Sequence, residues 1–228
     1  MARDISSFPY LEALLAMLGE PRGHGEDAAA WARLETELGC ELPADFKRVS
    51  ELHAPVEING HMSLHHPATQ KWNLAERIAG VARAFGEVAW DWEFMAGDPR
   101  PALGTTELTF GGPGGLVPVL GTDRGERVFW APRVVDRGGQ VFCLWDDDEF
   151  YRHDMSLSEW LYRYLVGKDL FGPNSAAFYP GPVKLKSLPM SYEDTPAPGP
   201  ATRPARPPGL PMSYEDTPVV WYGPERGM

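Results

Sequence analysis

The chain has 228 residues and a formal net charge of -11, long enough for one or two cores and acidic enough to disfavour phosphate backbones and anionic membranes as partners. Its two cysteines, Cys40 and Cys143, are too few for a disulfide-stapled scaffold or a Cys-only zinc site and point to a reducing, cytoplasmic setting. The apolar run Leu11 to Leu18 contains Glu12, follows Asp4 and lacks a small-residue cleavage site, so neither a signal peptide nor a membrane span is expected.

In chain order, Tyr10, Leu11, Leu14, Leu15 and Leu18 fall at helical spacing, and Gly19 and Pro21 end the pattern, predicting a short helix within an N-terminal extension over 1–22. The alanines near position 30 and the one-sided set Trp31, Leu34 and Leu38 predict a second helix over 26–38, ended by Gly39. Pro43 suits the first turn of a third helix at about 43–52, with Phe46, Val49 and Leu52 as its apolar face. Val56 to Leu64 reads as two short strands around an Asn59-Gly60 turn, and Leu74, Ile78, Val81 and Phe85 predict a helix over 73–86. Strands are expected at 87–94, 108–110, 116–120, 128–130 and 141–145, with a polar turn at Asp123 to Glu126. The last helix has the plainest signal: Ser156 and Glu159 form a capping box, Trp160, Leu161, Tyr164 and Leu165 make the stripe, and Gly167 ends it. Short strands joined by tight turns favour antiparallel pairing, so the expectation is an α+β domain over 23–170, a single mainly antiparallel sheet packed with helices.

After residue 170 the periodicity is lost. Of the 23 prolines, 13 lie in 171–228, the composition of a flexible, disordered Pro-rich tail. Within it Leu188-Pro-Met-Ser-Tyr-Glu-Asp-Thr-Pro196 recurs unchanged at 210–218.

The front of the chain resembles the SUKH superfamily, the Smi-one/Knr-four-like group. The resemblance rests on Trp31-Ala-Arg-Leu-Glu-Thr-Glu-Leu-Gly39, Glu41-Leu-Pro-Ala-Asp-Phe-Lys47, Ile58-Asn-Gly60, Leu116-Val-Pro-Val-Leu-Gly121, Gly125 to Trp130 and Ser158-Glu-Trp-Leu161. These occur in the family's order over roughly 140 of the 228 residues. The resemblance implies an α+β fold on one sheet and a family whose bacterial members are mostly immunity proteins that bind and neutralise toxin domains. It carries over no catalytic residue, metal or cofactor, and the N-terminal helix and long tail depart from its pattern.

The residues themselves give enzyme chemistry little to work with. Phe110-Gly-Gly-Pro-Gly-Gly115 is followed by a strand and no Lys-Ser/Thr pair, so a mobile loop fits better than a phosphate cradle. His61, His65 and His66 cluster before Pro67 without a second ligand group, which favours surface or turn roles over a metal site. Asp146-Asp147-Asp148-Glu149 lacks calcium-loop spacing and reads first as a solvated turn. With Trp145 and Tyr151 those four carboxylates make a candidate partner-binding patch for a basic protein surface.

The repeats have a plain reading as a tolerated duplication and a sharper one as a linear motif met twice by one partner. The candidates for binding or modification are Met190, Ser191, Tyr192, Glu193, Asp194 and Thr195, and their counterparts Met212, Ser213, Tyr214, Glu215, Asp216 and Thr217. The leading expectation is therefore a non-enzymatic immunity protein that binds a toxin or effector domain. The alternative is a carrier, precursor or scaffold whose repeats are recognised or modified by a peptide-modifying enzyme.

Overall fold

The computed structural model describes residues 8–132, 140–145, 149–173, 175 and 182–194. Among them six helices and seven strands form an α+β fold on one antiparallel sheet, with strand order β6-β5-β4-β3-β2-β1-β7. The helices are α1 (Leu11–Leu18), α2 (Ala28–Leu38), α3 (Ala44–His53), α4 (Leu74–Gly86), α5 (Arg100–Leu103) and α6 (Leu157–Leu165). The strands are β1 (Val56–Ile58), β2 (Met62–Leu64), β3 (Val117–Thr122), β4 (Arg127–Ala131), β5 (Gln140–Trp145), β6 (Glu149–His153) and β7 (Leu185–Ser187). From β1 to β6 the sheet is a meander. Its final strand returns past α6 to pair with β1.

Period-two alternation divides the sheet into two apolar faces. Val128, Val141 and Cys143 join the larger cluster with α1, α2, α3 and α6, whereas Phe129, Phe142, Leu144 and Phe150 join a smaller one with Val81 and Leu103. Trp160, Phe129, Phe142 and Phe171 are among the largest fully buried side chains, and each such burial contributes about 2–3 kcal/mol. Helix α4 bridges the clusters, placing Leu74 and Ile78 in one and Val81 in the other.

The ends of α2, α4 and α6 follow from local chemistry. Asp27 accepts the Ala30 amide at 2.9 Å, Asn73 accepts the Glu76 amide and Ser156 accepts the Glu159 amide, the last two at 3.1 Å, each satisfying an orphan donor of a first turn. Asp45, itself fully buried, reaches across from α3 to accept the Ser158 amide at 2.7 Å. That bond clamps α3 to the start of α6.

Four expectations need correction. Residues 87–94 are turns and not a strand, residues 108–110 contribute only a bridge from Phe110 to Leu116, and β6 and α5 had no place in the expected order. The flexible-tail reading fails for 182–194: Leu185–Ser187 pairs with β1, and Leu188 is buried and donates its amide to the Pro55 carbonyl at 3.1 Å. The fully buried Phe171 likewise belongs to the core, against α6. Residues 195–228 lie outside the described residues.

Candidate partner-binding face

Strand β6 is one edge of the sheet, and it positions the sequence-predicted patch. Trp145 closes β5 and pairs in register with Glu149, which opens β6. The Trp145 side chain and all of Asp146, Asp147 and Asp148 lie outside the described residues. Glu149 belongs to a strand and not to the solvated turn expected for it. Two residues on, and so on the same side of β6, the Tyr151 hydroxyl donates a hydrogen bond to the Glu149 carboxylate. Desolvation and that neighbouring carboxylate push the Tyr151 phenol up to about 12, so it stays a neutral donor at physiological pH. Glu149 and Tyr151 flank a cleft of about 400 Å³ that Asp98, Pro101, Phe142 and Arg152 also line.

Sequence reasoning missed the segment that joins this edge. The Phe150 amide donates to the Ala96 carbonyl at 3.0 Å, fastening residues 91–98 alongside β6. Gly97 takes φ +76, and a Cβ there would collide with the Phe150 carbonyl, so glycine permits both the turn and the close approach. Trp90 and Trp92 stack with centroids 5.6 Å apart, and each packs toward Phe150. Arg100 lies 4.7 Å above the Trp92 ring and is held by Asp98 at 2.9 Å. In the turn after these rings Phe94 is 86% exposed, and Asp91 and Glu93 just before it are exposed too. The available signal was Val88, Trp90, Trp92 and Phe94 in alternation, which reads as a strand when no partner is known.

The other predicted candidates divide between described and undescribed residues. In the first repeat, the Met190 carbonyl accepts the Gln70 and Lys71 amides at 2.9 and 3.1 Å, and Lys71 lies 5.2 Å from the Tyr192 ring centroid. Ser191 donates its hydroxyl to Asp194 at 2.8 Å, while Tyr192 and Glu193 stay exposed. Thr195 and the whole second repeat, Met212, Ser213, Tyr214, Glu215, Asp216 and Thr217 included, fall outside the described residues.

The three histidines do not converge. The buried His61 ring bonds Asp123, His65 packs edge-on to Trp72, and His66 stacks between His24 and the edge of Trp31. All three are buried rather than at the surface, and His61 lies in the turn between β1 and β2, one of the roles expected for the cluster. Burial pushes His65 and His66 down to about 4. Among the described residues no group of three His, Cys, Asp or Glu is placed to hold a metal ion. The glycine-rich segment is packed at its two ends, where a Cβ at Gly111 would press on Ala82 of α4 and one at Gly115 would collide with the Thr109 carbonyl, whereas Gly112 and Gly114 face open space. No described helix is long and apolar enough to cross a membrane. No family model matches the chain, and comparisons with curated proteins and with solved structures find no relative.

Proposed function

We propose that this protein is a non-enzymatic, cytoplasmic binding module of SUKH-like type, an immunity protein that occludes the working surface of a basic toxin or effector domain through its β6 edge. One observation carries the reading: Phe94 is 86% exposed, in the turn that follows the stacked Trp90 and Trp92 and that also exposes Asp91 and Glu93. An aromatic anchor on a rigid support loses little conformational freedom on binding, and the surrounding carboxylates accelerate encounter with a cationic partner. The three aspartates between Trp145 and Glu149 add like charge at the same edge in sequence, and the net charge of -11 has the same sign.

The test is protection from the toxin domain encoded beside this gene, with full-length chain expressed in the same cell. Phe94→Asp should abolish protection and weaken binding in vitro at least 30-fold, the loss of an anchor worth about 2 kcal/mol. Asp91→Lys with Glu93→Lys should slow association and flatten its salt dependence. Undiminished protection by both variants sinks the assignment of this face. Failure of the unaltered chain to bind that domain sinks the immunity reading.

A carrier or scaffold reading has its own supporting observation, since the docked first repeat buries Leu188 while presenting Tyr192 and Glu193 outward. Under that reading, substitutions at Tyr192 and Tyr214 abolish function and Phe94→Asp does not.

A further inference from the structure

The first repeat follows β7 and seats against the fold at the edge of the sheet opposite β6. Leu188 is buried and donates its amide to the Pro55 carbonyl at 3.1 Å. The Met190 carbonyl accepts two amides at once, those of Gln70 and Lys71 at 2.9 and 3.1 Å. The Lys71 ammonium lies 5.2 Å from the Tyr192 ring centroid, within cation–π range. The motif also folds on itself. The Asp194 carboxylate accepts the Ser191 amide at 3.0 Å and its hydroxyl at 2.8 Å, and the Ser191 hydroxyl oxygen accepts the Asp194 amide at 3.2 Å.

The receiving side is built without the repeat. The loop between β2 and α4 is braced from within: Thr69, buried, donates its hydroxyl to the His66 carbonyl at 3.0 Å, and the Asn73 amide nitrogen donates to the Pro67 and Thr69 carbonyls at 2.9 and 2.7 Å. Trp72 stands there at φ +54, its carbonyl accepting the His66 amide at 3.3 Å. These bonds set the direction of the Gln70 and Lys71 amides whether or not a peptide lies against them, so little order is lost on binding. Main-chain bonds of this kind hold a peptide, and the side chains beside them decide which peptide is held.

Every group of the first copy that makes these contacts recurs in the second. Leu210, Met212, Ser213, Tyr214 and Asp216 stand where Leu188, Met190, Ser191, Tyr192 and Asp194 stand. The copies differ for this site in what precedes them. Leu185-Lys186-Ser187 pairs with β1 ahead of the first, whereas Pro207-Pro208-Gly209 ahead of the second has no N–H at the position of Lys186. Reach is the smaller handicap. Counted from Ser175, Leu210 lies roughly 2.7 times as many residues away as Leu188, and closing that longer loop lowers the effective concentration only about fourfold.

We propose that Pro55, Gln70 and Lys71 form a recognition site for the peptide Leu-Pro-Met-Ser-Tyr-Glu-Asp, held by the first copy through β7 and taken by the second when the first is drawn away. One site and two ligands leave one copy over for a partner, and the site stays filled while that partner holds the other. Neither the β6 edge nor a toxin takes part in this recognition.

The test measures hydrogen exchange on the full-length chain. Lys186→Pro with Leu188→Asp breaks the ladder and the anchor of the first copy. Adding Leu210→Asp to that pair should lower the protection of the Gln70 and Lys71 amides at least threefold further, because it removes the second copy from the site. The Val128 amide of β4 is the control for the fold, and alanine replaces aspartate at both leucines if that control moves. Added to the triple variant, the synthetic nonapeptide Leu-Pro-Met-Ser-Tyr-Glu-Asp-Thr-Pro should produce saturable NMR shifts at the Gln70 and Lys71 amides, and a nonapeptide with aspartate for its leucine should produce none. Equal protection with and without Leu210→Asp overturns the exchange of copies. No saturable shift with the nonapeptide, or equal shifts with the aspartate form, overturns the site itself.

Discussion

At the residue scale the buried polar groups show how far a local motif reaches. Asp45 sits in Leu42-Pro-Ala-Asp-Phe46, a run legible as a helix start. Its actual task, accepting the Ser158 amide from 113 positions away, could not be read locally, because one carboxylate caps whichever helix the fold brings near. His65 and His66 carry a pH consequence. Both have folded pKa values near 4, below the ordinary 6.5, with burial the main cause. The unfolded chain therefore binds more protons between those values, so stability is present above pH 6.5 and is lost as pH falls toward 4. Each contributes a slope of roughly 1 kcal/mol per pH unit near pH 5. Replacing His66 with Gln should flatten the measured dependence of unfolding free energy on pH in that window. A slope unchanged in His66→Gln would show that His66 does not stay neutral in the fold.

At the element scale, helices were read more accurately than strands. Helices α2, α4 and α6 announce themselves through one-sided apolar stripes, and α6 also through Ser156; the structure adds cap bonds from Asp27 to α2 and from Asn73 to α4. Residues 87–94 have strand alternation but no ladder. Trp90 and Trp92 pack into the smaller core and only Ala96 bridges β6, so packing overrode the period-two pattern. Strand β6 was missed because its preceding carboxylates read as turn, whereas pairing with β5 from Val141 to Trp145 fixes it as strand. The attachment of residues 91–98 turns on Gly97. Gly97→Ala should cost about 2 kcal/mol through strain and collision at Phe150. Hydrogen exchange at the Phe150 amide should accelerate with it, and an unchanged rate would show that the segment is held by its aromatic side chains alone.

At the scale of the whole molecule, the sheet has the β6 edge facing the proposed partner and the other edge completed by the chain's own C-terminal region. The bonds from Leu188 to Pro55 and from Asn59 to Lys184 set the antiparallel alternation, so Lys186 and Glu57 occupy an exchanging pair between them. The residue equivalent to Lys186 ahead of the second repeat is Pro208, which has no N–H to give. Identical motifs are therefore inequivalent through what precedes them. Lys186→Pro should make the first repeat resemble the second in this respect: protection of the Gln70 and Lys71 amides should fall at least tenfold, and unaltered protection would show that docking of the repeat does not depend on the β7 ladder. Composition and periodicity by themselves determined an α+β chain with capped amphipathic helices, several short strands and a duplicated motif, because these follow from contacts within a few residues. Tertiary structure alone decided that Phe94 stands out while Trp90 and Trp92 turn in, that Arg77 and Arg127 meet over Gly121, and that residues 185–188 close the sheet. Those outcomes depend on which distant segment arrives to cover or pair each face, and no local pattern encodes that.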